Sequence, residues 1–283
     1  MNPAGRASAP SAAPLRERIA ARPVAAFLVI AIGLTWAALI LSIALLGNAL
    51  PGILAELLIL MGTAVLVTAA TDGKPGVRAL FRQTVRWRAG TGWYVAAVLA
   101  LPVLTVLVAA ATGTFRQPAD GWAPVAGAYL LNTLVIGALL GNIWEELAWT
   151  GVVQRRLMER HGMAAGSLLT AVPFALIHVP LAFADKGFTG TPWSEAAVAW
   201  GVLLVFAPLF RLLVGIAYLG TGQSLLIVAL LHASFNASEQ SKLPVFDGAW
   251  QQIAAATLLL VVLVLLRKFR ALAAETDHGA AVA

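Results

Sequence analysis

The 283-residue chain contains no cysteine and has few charged residues. Without cysteine there can be no disulfide, no thiolate metal site and no cysteine nucleophile. Charged residues make up only 11% of the chain and just four residues are histidine, whereas a soluble domain typically has about 25% charged residues. This low content of charge argues against a water-soluble protein.

Apolar residues, in contrast, make up 60% of the chain. They fall in blocks of about 20 residues, the length that spans a bilayer core of about 30 Å. Uninterrupted hydrophobicity predicts eight membrane spans. The predicted spans are 24–46, 50–70, 91–112, 123–146, 164–183, 196–217, 223–238 and 249–266. The predicted fold is therefore all-α, a polytopic membrane bundle of about eight transmembrane helices.

The distribution of arginine and lysine predicts the orientation of the spans. Fifteen of the nineteen basic residues lie in segments that an eight-span chain with cytoplasmic termini would place in the cytoplasm, as the positive-inside rule requires. A seven- or nine-span arrangement would break this asymmetry. The net charge of +6 thus reflects the orientation of the spans in the membrane. No nucleic-acid partner is expected, because the basic residues form no single patch.

The chain shows no internal repeat and no soluble domain. We expect a disordered tail over 1–22, one membrane domain over 23–270 and a second tail over 271–283. No removable signal peptide is expected, because no short apolar core with a small-residue cleavage site precedes the first span. Residues 74–90 have the pattern of a basic amphipathic helix on the membrane surface. The predicted location is the plasma (inner) membrane, whose lipid bilayer is then a partner.

Five polar residues stand out because they lie within predicted spans. They are Glu145, Glu146, His178, His232 and Asn236. Ionisable groups are costly at membrane depth and face the bundle interior, so we expect these side chains to converge on one cavity. His232 and Asn236 are spaced i, i+4 and share a helix face. Adjacent helical residues point about 100° apart, so of the two glutamates one is the reagent and the other supports it.

Three segments carry a resemblance to a known family. They read WEELAWTG, FALIH and HASFN within residues 142–238. In order and in placement on separate spans, they resemble the CAAX prenyl protease and bacteriocin-processing (CPBP) family of intramembrane proteases, whose pattern is Glu-Glu-x-x-x-Arg, Phe-x-x-x-His and His-x-x-x-Asn or Asp. One position departs from this pattern, since Thr150 stands where the family has arginine. We therefore expect Glu146 to be neutral or to be paired with the Thr150 hydroxyl or a basic group such as Arg211.

The resemblance implies an intramembrane endopeptidase in which Glu145 and His178 activate a water, while His232 and Asn236 stabilise the oxyanion. If the protein binds a divalent metal such as zinc, the implied ligands are Glu145, His178 and His232, although no His-Glu-x-x-His helix demands a metal. The implied substrate is a membrane-associated peptide or protein. A prenylated CAAX peptide and a bacteriocin-type leader are alternatives.

Two other functions are open at this point. One is a non-catalytic membrane protein that acts in binding, immunity or scaffolding, in which Thr150 marks lost catalysis. The other is a proton-coupled transporter that uses the glutamate and histidine cluster as a relay, although the chain lacks the repeated, interrupted spans typical of transporters. Glu56 and Arg211, single charges in the second and sixth spans, are interpreted as structural or interfacial.

Overall fold

The computed structural model describes residues 14–240, 251, 253–265 and 267. Across these residues the regular structure is helical, without strands, which confirms the predicted all-α membrane bundle. The helices are α1 (Leu15–Ala21), α2 (Pro23–Leu46), α3 (Leu50–Thr84), α4 (Thr91–Ala111), α5 (Trp122–His161), α6 (Met163–Phe183), α7 (Gly187–Gly190), α8 (Trp193–Gly220), α9 (Leu225–Gln240) and α10 (Ile253–Leu265).

Within the described part of the chain, six helices are long and apolar enough to cross a bilayer, namely α2 to α6 and α8. They overlap the first six predicted spans. Helix α3 extends beyond the predicted end at 70, as far as Thr84, and α5 extends beyond 146, as far as His161. Helices α9 and α10 are shorter apolar helices at the seventh and eighth predicted spans. The outer faces expose large apolar side chains such as Val29, Leu45 and Val198. An apolar surface of this extent suits lipid, since soluble monomers rarely expose one.

Parts of the predicted tails lie outside the described residues, as do positions 249, 250, 252 and 266 of the eighth span. Where the first tail is described, it differs from the predicted disorder. Residues 15–21 form α1. Ile19 on this helix is buried in the main apolar core, so the segment packs against the bundle. The predicted tail is therefore ordered from Leu15 onward.

Helix α3 is bent near its basic run. Gly73 has φ +65°, a left-handed conformation that L side chains rarely adopt, and Pro75 follows two residues later. Beyond the bend the helix continues to Thr84, so the predicted surface helix over 74–90 is helical only in its first part. Leu80 on this second segment is buried in the main core. The segment thus packs against the bundle with one apolar face.

Helix α5 contains two π-helical stretches that bracket the glutamate pair. Asn132–Asn142 and Trp149–Gln154 are π-helical, and the α-helical Ile143–Ala148 lies between them. A Cβ added at Gly137 would lie 2.7 Å from the Cβ of Ala233 on α9. Only glycine permits this close approach, which brings the histidine of α9 beside the glutamates of α5.

Candidate active site

A cavity of about 580 Å³ lies within the bundle, between α3, α5, α6, α8 and α9. Four of the five predicted site residues line it, namely Glu145, His178, His232 and Asn236. The remaining wall is mainly apolar and aromatic. Such a cavity has the size and lining of a binding site for a small ligand or an extended peptide segment.

The carboxylate of Glu145 lies between two imidazole rings. Its Oε1 is 3.7 Å from Nε2 of His178 and its Oε2 is 3.9 Å from Nε2 of His232. Asn142 Nδ2 donates a hydrogen bond of 2.9 Å to Oε2. The distances from the carboxylate to the two rings exceed those of direct hydrogen bonds. They allow a small ligand such as water to contact the carboxylate and an imidazole together.

The far nitrogen of each ring is held by an acceptor. His178 Nδ1 lies 2.6 Å from the carbonyl oxygen of Phe174, and His232 Nδ1 lies 2.8 Å from Oε1 of Glu146. A carbonyl oxygen only accepts, so Nδ1 of His178 carries a hydrogen, and Nε2 faces Glu145. These anchors fix both rings with Nε2 facing Glu145.

Glu146 lies behind the cavity wall and is fully buried. Arg211 Nη1 donates to its two carboxylate oxygens at 3.0 and 3.2 Å. The Thr150 hydroxyl donates to Glu146 Oε2 and accepts a 2.8 Å hydrogen bond from Arg211 Nη2. The prediction that Glu146 is paired with Thr150 or Arg211 is confirmed, since Glu146 contacts both residues. A guanidinium from α8 therefore pairs with Glu146, while position 150 contributes a hydroxyl.

The rest of the Arg211 side chain is also satisfied. Its Nε donates to Gln154 Oε1 at 2.8 Å, and Gln154 Nε2 donates to the Arg211 carbonyl at 2.9 Å and to Ser167 Oγ at 3.0 Å. The guanidinium carbon lies 4.9 Å from the centroid of the Phe174 ring. A buried ion pair is tolerated only when its remaining donors have partners. This network meets that condition.

Asn236 completes the face of α9 that carries His232. Its Nδ2 lies 3.5 Å from Oδ1 of Asn142, a long hydrogen bond that ties α9 to α5. Both Asn236 and His232 line the cavity. The i, i+4 spacing of the two residues therefore puts them on one side of a shared space, as the sequence predicts.

Residues 127–238 match the family model described as type II CAAX prenyl endopeptidase Rce1-like. This segment, called the Rce1-like domain below, is therefore similar to that family. The match confirms the resemblance inferred from the three motifs. It covers less than half of the chain but includes all five predicted site residues. Among curated proteins, none matches the chain.

Two residues beside the predicted site residues were not predicted as part of the site. Asn142, three residues before Glu145 on α5, holds the Glu145 carboxylate, and its spacing could have indicated this contact. Glu56 on α3 lies outside the Rce1-like domain, and we interpreted it as structural or interfacial. The structure corrects this, because Glu56 lines the cavity beside Glu145 and His178. The sequence feature that could have identified Glu56 is that it is the single charged residue in the second predicted span.

The structure also changes the predicted set of metal ligands. Among the described residues, the ligand atoms that lie within 4.8 Å of one another belong to Glu56, Glu145 and His178, so Glu56 takes the place predicted for His232. Two carboxylates and an imidazole are donor types that suit a divalent ion such as zinc.

Proposed function

We propose that the protein is an intramembrane endopeptidase of the CAAX-protease-like type, which hydrolyses a peptide bond of a membrane-associated substrate. One observation carries the proposal: the Glu145 carboxylate faces Nε2 of both His178 and His232 in a cavity inside the bundle. Three ionisable groups from three helices are costly at membrane depth unless they serve a function. Their position within the Rce1-like domain supports proteolysis as that function.

The proposed reaction begins with a water that contacts Glu145 and His178. Glu145 accepts a proton from the water while the lone pair on His178 Nε2 orients it, and the resulting hydroxide adds to the substrate carbonyl carbon. When the C–N bond breaks, the proton passes to the leaving nitrogen. The products are a carboxylic acid and an amine.

The developing oxyanion is assigned to α9. Asn236 Nδ2 is a hydrogen-bond donor on the cavity wall, and the Nε2 edge of His232 lies on the same helix face. Removing one oxyanion donor typically lowers kcat by about 10²- to 10³-fold. Glu146 acts as a positioning residue, because it holds His232 Nδ1 while Arg211 and Thr150 hold Glu146.

The apolar wall suggests what part of the substrate the cavity accepts. Trp200, Phe206, Phe210 and Phe235 line it, and the rings of Phe206 and Phe235 stack at a centroid distance of 4.1 Å. This surface suits a hydrophobic side chain or a lipid group near the scissile bond. A prenylated C-terminal CAAX peptide has both features, so we propose it as the first substrate to test.

The test uses purified full-length protein in detergent and a set of membrane-associated peptides. The set includes farnesylated CAAX peptides and the same peptides without the lipid, and products are identified by mass spectrometry. We expect cleavage by the wild type and loss of at least about 10³-fold in Glu145→Gln, whose thermal stability should be unchanged. Glu195→Gln is the matched control, because Glu195 is an exposed carboxylate paired with Lys186.

Each outcome has a distinct meaning. Cleavage by Glu145→Gln at the wild-type rate would reject Glu145 as the base. Equal cleavage of peptides with and without lipid would reject lipid recognition but keep proteolysis. A folded wild type that binds these peptides without cleaving any would favour the non-catalytic binding protein instead.

A further inference from the structure

We propose that Trp36 and Trp200 are positioning residues for His178, because their indole N–H groups hold the break in α6 from which His178 faces Glu145. As an account of turnover this rests on the proposed function, but the hold on His178 can be tested without proteolysis. Trp36 lies on α2, outside the Rce1-like domain, and Trp200 lies on α8.

Helix α6 changes its helical type at His178. The α-helical part ends one residue earlier, and Val179–Phe183 is a 3₁₀ helix. The amide of His178 donates to the Ala175 carbonyl, three residues back, at 3.2 Å. The Phe174 carbonyl, four residues back, instead accepts from Nδ1 of the His178 ring at 2.6 Å. The direction of the ring therefore depends on where the helix changes type.

Pro180 removes a backbone donor at this break. In a continuous α-helix the N–H of residue 180 would donate to the Leu176 carbonyl, and proline has no N–H. Leu176 is 42% exposed on the outer face of the bundle. In hydrocarbon no water can take the place of the lost donor, and an unsatisfied backbone group costs several kcal/mol. The Leu176 carbonyl therefore needs a donor from another part of the protein.

Two indoles supply donors on either side of His178. Trp36 Nε1 donates to the Leu176 carbonyl at 3.0 Å. Trp200 Nε1 donates to the Val179 carbonyl, also at 3.0 Å. An indole nitrogen is a donor only, so each ring can make this contact in one direction. The backbone before and after His178 is thus tied to two other helices, α2 and α8.

The position of His178 matters because its Nε2 lies 3.7 Å from Glu145 Oε1. A displacement of about 1 Å at a reacting group can lower the rate by about 10²-fold, even when its cause lies away from the chemistry. Trp200 lines the cavity, so its loss also removes part of the surface that faces the substrate. Trp36 is not among the described residues that line the cavity. Trp36 is therefore the cleaner test of positioning.

The test observes the ring of His178 by NMR in full-length protein purified in detergent and labelled with ¹⁵N at histidine. The chain has four histidines, and His178→Gln identifies the signals of interest. We expect Trp36→Phe, which keeps an aromatic ring but lacks the N–H, to shift the His178 signals and to leave those of His161 in place. Trp122→Phe is the matched control, because Trp122 is an exposed tryptophan on α5 that stacks on Phe115.

A second substitution tests whether the hydrogen bond is what matters. Pro180→Ala restores an N–H that can donate to the Leu176 carbonyl. We therefore expect Trp36→Phe to shift the His178 signals less in the Pro180→Ala background than in the wild type, as in a double-mutant cycle. The same background should not rescue Trp200→Phe, because the N–H of residue 180 belongs to the same peptide bond as the Val179 carbonyl.

Peptide cleavage gives the functional measurement. We expect kcat of Trp36→Phe to fall by about 10- to 100-fold with little change in KM. The fall in kcat should be smaller when Pro180→Ala is present in both proteins. Trp122→Phe should keep the wild-type kcat. A general loss of packing at position 36 would not respond to a donor restored at position 180.

The outcomes separate this proposal from the proposed function. Unchanged His178 signals in Trp36→Phe, or an equal effect of Trp36→Phe in both backgrounds, overturns the proposal and leaves proteolysis standing. A Trp36→Phe protein that folds only together with Pro180→Ala supports it, whereas one that unfolds in both backgrounds overturns it. His178 signals that shift and are rescued, in a protein that cleaves none of the peptides, keep the hold on His178 and reject the proposed function.

Discussion

Arg211 and Glu146 form a fully buried ion pair between α8 and α5, with Arg211 Nη1 3.0 Å from Glu146 Oε1. The family pattern would supply this guanidinium from position 150 on the same helix as Glu146. Here Thr150 links the two groups, since it donates to Glu146 and accepts from Arg211. Glu146 therefore still pairs with a guanidinium, but that guanidinium comes from α8 and not from position 150.

Replacing Arg211 should destabilise the protein strongly. Arg211→Met leaves Glu146 buried without its cation, and breaking a buried pair typically costs about 3–5 kcal/mol. The measurement is thermal unfolding in detergent. As a control, Lys186→Met breaks an exposed pair with Glu195 and should cost less than about 1 kcal/mol.

Restoring the guanidinium at position 150 should rescue this variant in part. In Arg211→Met with Thr150→Arg, the new arginine is spaced i, i+4 from Glu146 and can pair with it on one helix. We expect the double variant to unfold at a higher temperature than Arg211→Met alone. An equal or lower temperature would show that the guanidinium is required specifically from α8.

Gly137 should not tolerate even a methyl group. A Cβ there would lie 2.7 Å from the Cβ of Ala233, so Gly137→Ala forces α5 and α9 apart, and overpacking typically costs about 1–3 kcal/mol. Gly127→Ala on the same helix meets nothing within 4 Å and should be neutral or stabilising, because alanine favours helix. Similar unfolding temperatures for the two variants would contradict the close contact.

Asn142 should affect turnover more than substrate binding. Asn142→Leu removes the donor that holds Glu145 Oε2, and a hydrogen bond to a charged group is worth about 1.5–3 kcal/mol. We expect kcat for peptide cleavage to fall by about 10-fold or more with little change in KM. Asn132→Leu is the control, since Asn132 Nδ2 donates to the Ala128 carbonyl on its own helix. A change confined to KM would place Asn142 in substrate binding instead.

The predicted orientation can be tested by reporter fusions. With eight spans and the basic residues on the inside, reporters at both termini should be active only on the cytoplasmic side. A reporter pair is needed, with one enzyme active in the cytoplasm and the other active outside it. An outside C-terminus with an inside N-terminus would require an odd number of spans.

Hydrophobicity predicts most of the fold, because a membrane helix needs a long apolar run and the first six runs each form a long helix. The three motifs predict four cavity residues. The π-helical stretches on both sides of Ile143–Ala148 could not be predicted from α-helical spacing. Glu56 was missed because a single span carries no information about which helix its charge will face.

Residues of α3 that line the cavity determine which fragments of the chain can keep the site intact. Ile53, Glu56 and Leu57 close one side of the cavity from a helix that lies well before residue 127. The Rce1-like domain is therefore not a self-sufficient module, and a fragment cut down to it would open the cavity on that side. Cutting the chain instead between α4 and α5 would give two halves that must be produced together, and only their reassembly would restore the complete lining of the cavity.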